Sequence, residues 1–460
     1  MAKHVAVIGG GITGLTAAFY LQKLAASSHL DLHVTVIETK DQFGGKVETV
    51  HRDGFTIERG PDSFLKRKKE ALELVEALGL GDQVVSNHTG KSYILKSGEL
   101  HPIPEGSVMG VPTQLKPMLD SGLLSEDGKA RALNDLILPQ LPEYEDMSVG
   151  DFFSARLGEE MVDHIISPLL SGIYAGNIYK LSLAATQPQF INVERDAGSL
   201  ILGFNGKQPK KKTSQFATLT SGLGTLIERL VDSLDARLLR GVTVSRIKRE
   251  NHKYELILNN NEKITADMVV SAVPNDISAN LFSDAAYLKR ENADPNTSVA
   301  TVAMAFDKDD VTLEKEGTGF VVSRKEPIAI TASTWTHLKW PHTVPEGKAL
   351  VRCYVGKAGD DAIIEQSDEE LIATSLQNLS GVVDFKKDPH FSVVTRWREA
   401  MPQYPVGHKL WLAEIQDKLP HDYPGVYLAG ASYDGVGLPD CIRQGKGAAQ
   451  KIIERIKTGT

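Results

Sequence analysis

The residue types best suited to chemistry lie near the start of the chain. Gly9, Gly10, Gly11, Ile12, Thr13 and Gly14, within "VAVIGGGITGLTAAFYL", set Gly9, Gly11 and Gly14 in GxGxxG spacing. In that spacing the first glycine allows a tight turn, the second lets a pyrophosphate reach the backbone at a helix N-terminus, and the third lets helix pack on strand. A second apolar stretch, "LHVTVIE", ends in Glu38, a carboxylate placed to take both hydroxyls of an adenosine ribose and to repel a 2'-phosphate. The chemistry implied is the binding of a dinucleotide, with NADP disfavoured. A different signal follows at 57–72, "IERGPDSFLKRKKEAL". There Arg59, Lys66, Arg67, Lys68 and Lys69 crowd behind one Gly-Pro turn in a chain of formal net charge −8. In an acidic protein such cations act locally, on a small anionic ligand or on none.

Several elements must position these residues. Residues 4–8 read as a buried strand, followed by a helix with Leu15, Ala18, Phe19 and Leu21 on its apolar face. Toward the C-terminus, "PGVYLAGASYDGVGLPDCIRQGKGAAQKII" reads as a strand at 426–429, a glycine-spaced loop, and a helix from about 439 whose N-terminus favours negative charge. Between these ends, "GVTVSRIKRENHKYELILNNNEKITADMVVSAVP" reads as a strand, a hairpin turning at "NNNE", and another buried strand. Residues 95–178 combine scattered prolines with helical patterns, and 278–395 contain β-rich runs such as "TSVATVAMAF" and "ALVRCYVG". The stretch "GFNGKQPKKKTSQ" at 203–215 is linker-like, with Lys210 to Lys212 expected on a solvated loop.

With 460 residues, 41% of them hydrophobic and 24% charged, the chain can bury two or three cores. Cys353 and Cys441 have neither a CxxC nor a Cys/His spacing, so no disulfide framework and no metal site are expected. No run of about 18 apolar residues occurs and no signal segment opens the sequence, so a cytoplasmic protein without an integral membrane segment is expected, surface contact with a membrane being left open. HExxH, GxSxG and Cys/His nucleophile patterns are missing, which suits a reaction whose hard step belongs to a cofactor.

After Glu38 the chain reads "TKDQFGGKVETVHRDGFTIERGPDSF". This resembles the glutathione-reductase-like flavoproteins, in which a GG followed by Arg or Lys lies along the FAD diphosphate. With "VMGVPT", "SPLLSGIYAG", "GTGFVVSRKE" and "RWREAMPQYPVGH" added, nearly the whole chain is similar to the oxygen-dependent protoporphyrinogen/coproporphyrinogen oxidase family, and within it to the Gram-positive branch. The resemblance implies an α/β fold in three parts. A glutathione-reductase-like FAD-binding Rossmann domain takes 1–71, 219–277 and 396–460; a mixed-sheet substrate domain takes 72–94, 179–218 and 278–395; a small helical domain takes 95–178. It implies non-covalent FAD held by Gly9 to Gly14, Glu38, Thr39, Lys46, Gly60, Pro61, Asp62, Ser63, the Val244 backbone, Trp397, and Val436, Gly437 and Leu438.

The reaction so implied is the six-electron oxidation of coproporphyrinogen III to coproporphyrin III with dioxygen, releasing hydrogen peroxide. Its partners are that small-molecule porphyrinogen, dioxygen and, in passing, the next haem-pathway enzyme, but no nucleic acid. Lys68 is the preferred clamp for a substrate propionate, and Ile173 or Tyr174 would cover the macrocycle face. Plainer readings compete: an amphipathic helix with Leu72, Val75 and Leu78 inward and Lys69 paired to Glu73, and a helix C-cap around Gly172 and Gly176. No catalytic base is singled out. Protoporphyrinogen IX oxidation is the near alternative. A flavin amine oxidase and a flavin-free carrier like the GDP-dissociation inhibitors are more distant ones.

Overall fold

The computed structural model describes residues 2–205, 214–290 and 295–459. Lys210 to Lys212 lie outside the described residues. The first core forms on a five-stranded parallel sheet, in the order Arg237–Leu239, Leu32–Ile37, Lys3–Ile8, Met268–Ser271, Val426–Leu428. Helices and a three-stranded meander (Val244–Glu250, Lys253–Leu258, Lys263–Ala266) cover its faces, which is why its central strands are continuous apolar runs such as Val5, Ala6 and Val7. The helix Ile12–Ser27 leaves the first strand and packs on the last helix, Leu438–Thr458. They meet at Gly445, where a methyl would lie 2.3 Å from the Thr13 carbonyl oxygen. The two ends of the chain are thus joined backbone to backbone.

A seven-stranded mixed sheet stands beside this core, in the order Phe391–Met401, Thr297–Asp307, Lys348–Val355, Ile330–Trp335, Gly319–Val322, Tyr93–Lys96, Glu99–Pro102. Two of the boundaries expected from sequence fall inside its strands. Residues 94 and 95 both belong to Tyr93–Lys96, whose hairpin partner Glu99–Pro102 is the edge strand rather than part of the helical domain. Likewise the ladder runs unbroken through 395 and 396, with Thr301 opposite Thr395 and Ala300 opposite Arg396. The hydrogen-bond ladder, not the composition of the segment, sets where this domain stops.

The third core is helical and extends beyond residue 178. Leu183, Phe190, Leu200 and Phe204 share it with Phe152 and Phe153, and the Phe153 and Phe190 rings stand edge to face at 5.0 Å. The stretch 183–204, expected in the substrate domain, therefore belongs with the helices. One charged cluster ties this core together. Arg156 and Asp135 have fully buried side chains. The Arg156 Nε donates to Asp135 Oδ1 at 2.7 Å, and its Nη atoms donate to the carbonyls of Asp135, Pro139 and Gly198. Glu194 lies 3.6 Å from the guanidinium, and the remaining Asp135 oxygen accepts from Ser199 Oγ and Ile201 N. Every guanidinium nitrogen is used, which is the condition under which a buried ion pair is tolerable.

Replacing Arg156 by Met should leave two buried carboxylates uncompensated and cost about 3 to 5 kcal/mol of unfolding free energy. Arg156→Lys should recover only part of this, because an ammonium cannot serve the same fork of acceptors. Urea denaturation of both variants checks it.

Candidate functional site

The strand Lys3–Ile8 ends at Gly9, which takes φ +100 with the Ala272 carbonyl 2.9 Å from where a side chain would begin. Gly14 is fixed by packing too: a methyl there would lie 1.9 Å from the Gly9 carbonyl oxygen. Gly11 is different. The nearest atoms to a methyl at Gly11 are Gly45 Cα at 3.7 Å and Gly44 O at 4.0 Å, so the protein has room for one. Packing explains two of the three motif glycines and leaves the middle one for a ligand. Glu38 is oriented toward the same place, its carboxylate accepting from Gly10 N at 2.7 Å and Lys40 N at 2.8 Å. Gly44 N donates to Gly10 O, and Val242 N to Glu38 O, which brings Thr39 and the start of the strand at Val244 alongside. Ile12 and Thr13 form the first turn of the helix, both buried.

The second group of expected residues meets at the "GPDS" turn. A methyl on Gly60 would lie 1.8 Å from Lys46 O, so this turn rests directly on the Gly44-Gly45-Lys46 segment. Trp397, on the edge strand of the large sheet, donates through Nε1 to Arg59 O at 3.0 Å, and the Lys40 ammonium lies 5.4 Å from its ring centroid. The Lys46 ammonium donates to Ala400 O and has no carboxylate partner among the described residues. Burial pushes it below its ordinary pKa. A half-buried cation with a single carbonyl partner suits an anionic ligand.

Asp62 and Ser63 behave otherwise. Asp62 accepts from Lys339 Nζ at 2.7 Å, Trp340 Nε1 at 3.2 Å and Ser63 Oγ at 2.7 Å, so its carboxylate is turned onto the end of the helix Thr336–Lys339 and Ser63 onto Asp62. Burial works to raise its pKa, but the Lys339 and Arg352 cations hold the carboxyl well below the usual range. Beneath the turn, Arg352 Nη2 donates to Gly60 O at 2.7 Å and Arg59 O at 3.1 Å, while its Nε has no partner. A cavity of about 20 Å³ opens among Glu58, Asp62, Thr336, Trp340 and Arg352, room for one water. Glu58 accepts from Leu223 N and Thr49 Oγ1, yet burial pushes its carboxyl up to about 7. Sequence reasoning missed Glu58, Arg352 and Lys339, although the buried-charge pattern has no local signature by which to find them.

The third group surrounds the start of the last helix. Val436 and Gly437 lead into Leu438, and two residues on, Asp440 takes the Lys68 ammonium at 2.7 and 2.5 Å from its two oxygens. Lys68 is therefore an ion-paired residue beside Val436–Leu438 rather than an isolated cation. Lys66 donates to Ser86 Oγ, and exposed Arg67 has no partner among the described residues. Glu73 pairs with Lys446 at 2.9 Å and not with Lys69 as expected. On the inward face of Lys69–Ala77, Leu74 and Val75 are fully buried, and Leu72 only partly. Tyr174 is buried with its ring 6.2 Å from that of Tyr404, whereas Ile173 is 40% exposed and a methyl on Gly172 would meet nothing within 4 Å. The helix Ser167–Tyr174 ends at Ala175, which takes φ +51, and the flexible end of the Gln403 side chain lies over Gly176. Among the described residues no cluster could hold a metal ion.

A parallel sheet with a glycine cradle at its strand ends, closed by a helix from the far end of the chain, is the architecture of a flavin-dependent oxidoreductase, and residues 12–453 match the family model of flavin containing amine oxidoreductases. The chain is 48% identical to the coproporphyrinogen III oxidase of Bacillus subtilis (strain 168), over 98% of each chain, and 40% identical to that of Staphylococcus aureus (strain NCTC 8325 / PS 47), over 99% of this chain and all of the other. A crystal structure from Exiguobacterium sp. 255-15, provisionally named protoporphyrinogen oxidase, superposes with a TM-score of 0.89 at 40% identity, covering 98% of this chain and 99% of that one. This chain belongs to the coproporphyrinogen III oxidase family of flavoproteins.

Two measurements test the site. As apoproteins, Gly11→Ala should unfold within about 1 kcal/mol of wild type, whereas Gly14→Ala should be destabilised outright, and Gly11→Ala should lose at least about tenfold in flavin affinity, about 1.4 kcal/mol; melting of the apoproteins and their titration with flavin separate the two. For Glu58 the folded pKa lies above the unfolded one, so the native state binds the extra proton between about pH 4.5 and 7 and stability falls as pH rises through that window. Glu58→Gln should remove that slope and raise stability at pH 8 by on the order of 3 kcal/mol, read from melting temperature against pH.

Proposed function

We propose that the protein oxidises coproporphyrinogen III to coproporphyrin III with FAD as its non-covalent cofactor and dioxygen as acceptor. Full-length kinship at 48% identity carries this reading, and the residues at the site fit the cofactor. Gly11 offers backbone with no side chain of its own, Glu38 is buried and held by two amides, and Thr39 and Val244 stand beside it for an adenosine. Lys46 would supply a half-buried positive charge for the phosphates, and the N-terminal end of Leu438–Thr458 would favour negative charge on a flavin ring placed there. Both thiols are buried, Cys353 with its pKa pushed up to about 12 and Cys441 with its pKa raised. Neither offers the thiolate that a covalent flavin link would need.

When bound, FAD would supply the two-electron acceptor for each of three rounds, with dioxygen as the final acceptor. The chain's own residues bind, orient and shield the ring. Gly172 and Ile173 leave an open apolar wall, Tyr174 backs it, and burial pushes the Tyr174 phenol up to about 12. A phenol so placed stays protonated at neutral pH, which suits it to covering a ring face. Lys68 keeps donors beyond those given to Asp440 and can meet a propionate at the edge of the cleft. No helix among the described residues is long and apolar enough to cross a membrane, and the reading places the enzyme in the cytoplasm, working without detergent.

Coproporphyrinogen III added without oxygen should bleach the bound flavin, and air should restore its colour with release of hydrogen peroxide; a flavin that stays oxidised overturns the reading. Lys68→Ala should lower kcat/KM for coproporphyrinogen by about 5-fold to 30-fold, about 1 to 2 kcal/mol, and less for protoporphyrinogen IX, which has two carboxylates instead of four. Steady-state kinetics on both rings check it.

A further inference from the structure

Beyond the strand Phe391–Met401 the chain runs through Gln403 and Tyr404 into the helix His408–Asp422. Tyr404 is buried, and its hydroxyl does two things at once: it donates to Ala431 O at 2.6 Å and accepts from Gly435 N at 2.8 Å. It thereby closes the loop between the strand Val426–Leu428 and the helix Leu438–Thr458 across residues 431 to 435. The His408 ring stacks on the Tyr404 ring at 4.1 Å and 13°, with its Nε2 2.7 Å from Tyr433 O. Nε2 facing a carbonyl must carry the proton, and the opposite nitrogen, Nδ1, is buried without a partner. The imidazole is thus neutral, and burial with Arg290 nearby draws its pKa down to about 4. Arg290 completes the hold, bonding Ser432 O and Gln403 O. On the other side, Gln403 Nε2 donates to Tyr174 O at 2.9 Å, and Tyr404 faces the Tyr174 ring.

We infer that Tyr404 is a positioning residue of the oxidation: its hydroxyl sets the loop that delivers Val436–Leu438 to the flavin, while its ring backs the Tyr174 wall. This rests on the porphyrinogen oxidase reading of the site. A phenol is the one aromatic side chain that both donates and accepts through a single atom, which is what the bridge from Ala431 O to Gly435 N requires. Phenylalanine keeps the stack on His408 and the contact with Tyr174 but leaves a carbonyl and an amide in the loop unpaired.

Tyr404→Phe is the direct test, measured on the holoenzyme. Amide exchange within 430–438 should rise at least about tenfold while the rest of the chain keeps its protection. The visible band and the reduction potential of the bound flavin should shift, and kcat should fall about tenfold with KM changed less than about twofold. Flavin stoichiometry should hold. His408→Phe, which keeps a stacked ring but loses Tyr433 O, should move the same readouts in the same direction and serves if Tyr404→Phe does not fold. Wild-type exchange and an unshifted flavin potential in the variant overturn the inference, and so does a loss of protection spread evenly over the chain. If wild-type protein fails to oxidise coproporphyrinogen, the functional reading falls, while exchange and potential still decide the role of Tyr404.

Discussion

Backbone meeting backbone at two glycines is the constraint on which the rest of this structure depends. Gly14 lies so near the Gly9 carbonyl, and Gly445 so near the Thr13 carbonyl, that no side chain fits at either point. The first contact seats the helix Ile12–Ser27 on its strand. The second seats the last helix on the first, over 400 positions later in the sequence. This close approach sets the last helix against the N-terminal turns of Ile12–Ser27, which follow Gly11. The large sheet attaches to this frame, and its edge strand carries Trp397 to the Arg59–Gly60 turn.

The junction between that frame and the large sheet joins apolar packing, where Phe55 and Ile57 lie against Ala303, Ala305, Leu350 and Phe391, to a set of charges. Arg352, Asp62, Lys339 and Glu58 gather under the Gly60 turn, two cations and two carboxylates, with one guanidinium nitrogen left for a water. Apolar packing would be indifferent to small slides of one domain over the other. A set of directional bonds to the carbonyls of Arg59 and Gly60 is not, since each bond weakens steeply off its axis. The Gly60 turn is therefore held to the sheet at a defined distance, at the cost of keeping Glu58 in surroundings that favour its neutral form.

What the sequence revealed follows from how local each signal is. The glycine spacing, Glu38 and the strand–helix–strand order are written within forty residues, and the backbone places them as read. The hairpin at "NNNE" is equally local. Domain limits were not legible, because Tyr93–Lys96 and Phe391–Met401 acquire their membership from strands far off in sequence. The same holds for side-chain direction. Asp62 reads as part of a cofactor turn, and its side-chain partner Lys339, 277 positions away, has no local sign in the sequence. Lys68 looked like a free cation, and Asp440 is 372 positions away.

That last pair changes what the cation cluster means. A carboxylate in the first turn of a helix is favoured by the backbone dipole, so Asp440 belongs where it is for the sake of Leu438–Thr458 alone. Unpaired, it would oppose any negative charge that the helix end is meant to favour on the flavin, and it would repel an anionic substrate. Lys68 cancels that charge and, with two oxygens gripping one ammonium, is itself held in place. The lysine is then pre-oriented without being consumed, since an ammonium has three donors and Asp440 cannot use all of them. The Lys68 cation proposed to answer a propionate and the Asp440 anion in the first turn of Leu438–Thr458 are one unit, and neither can be altered without changing the field that the other sees.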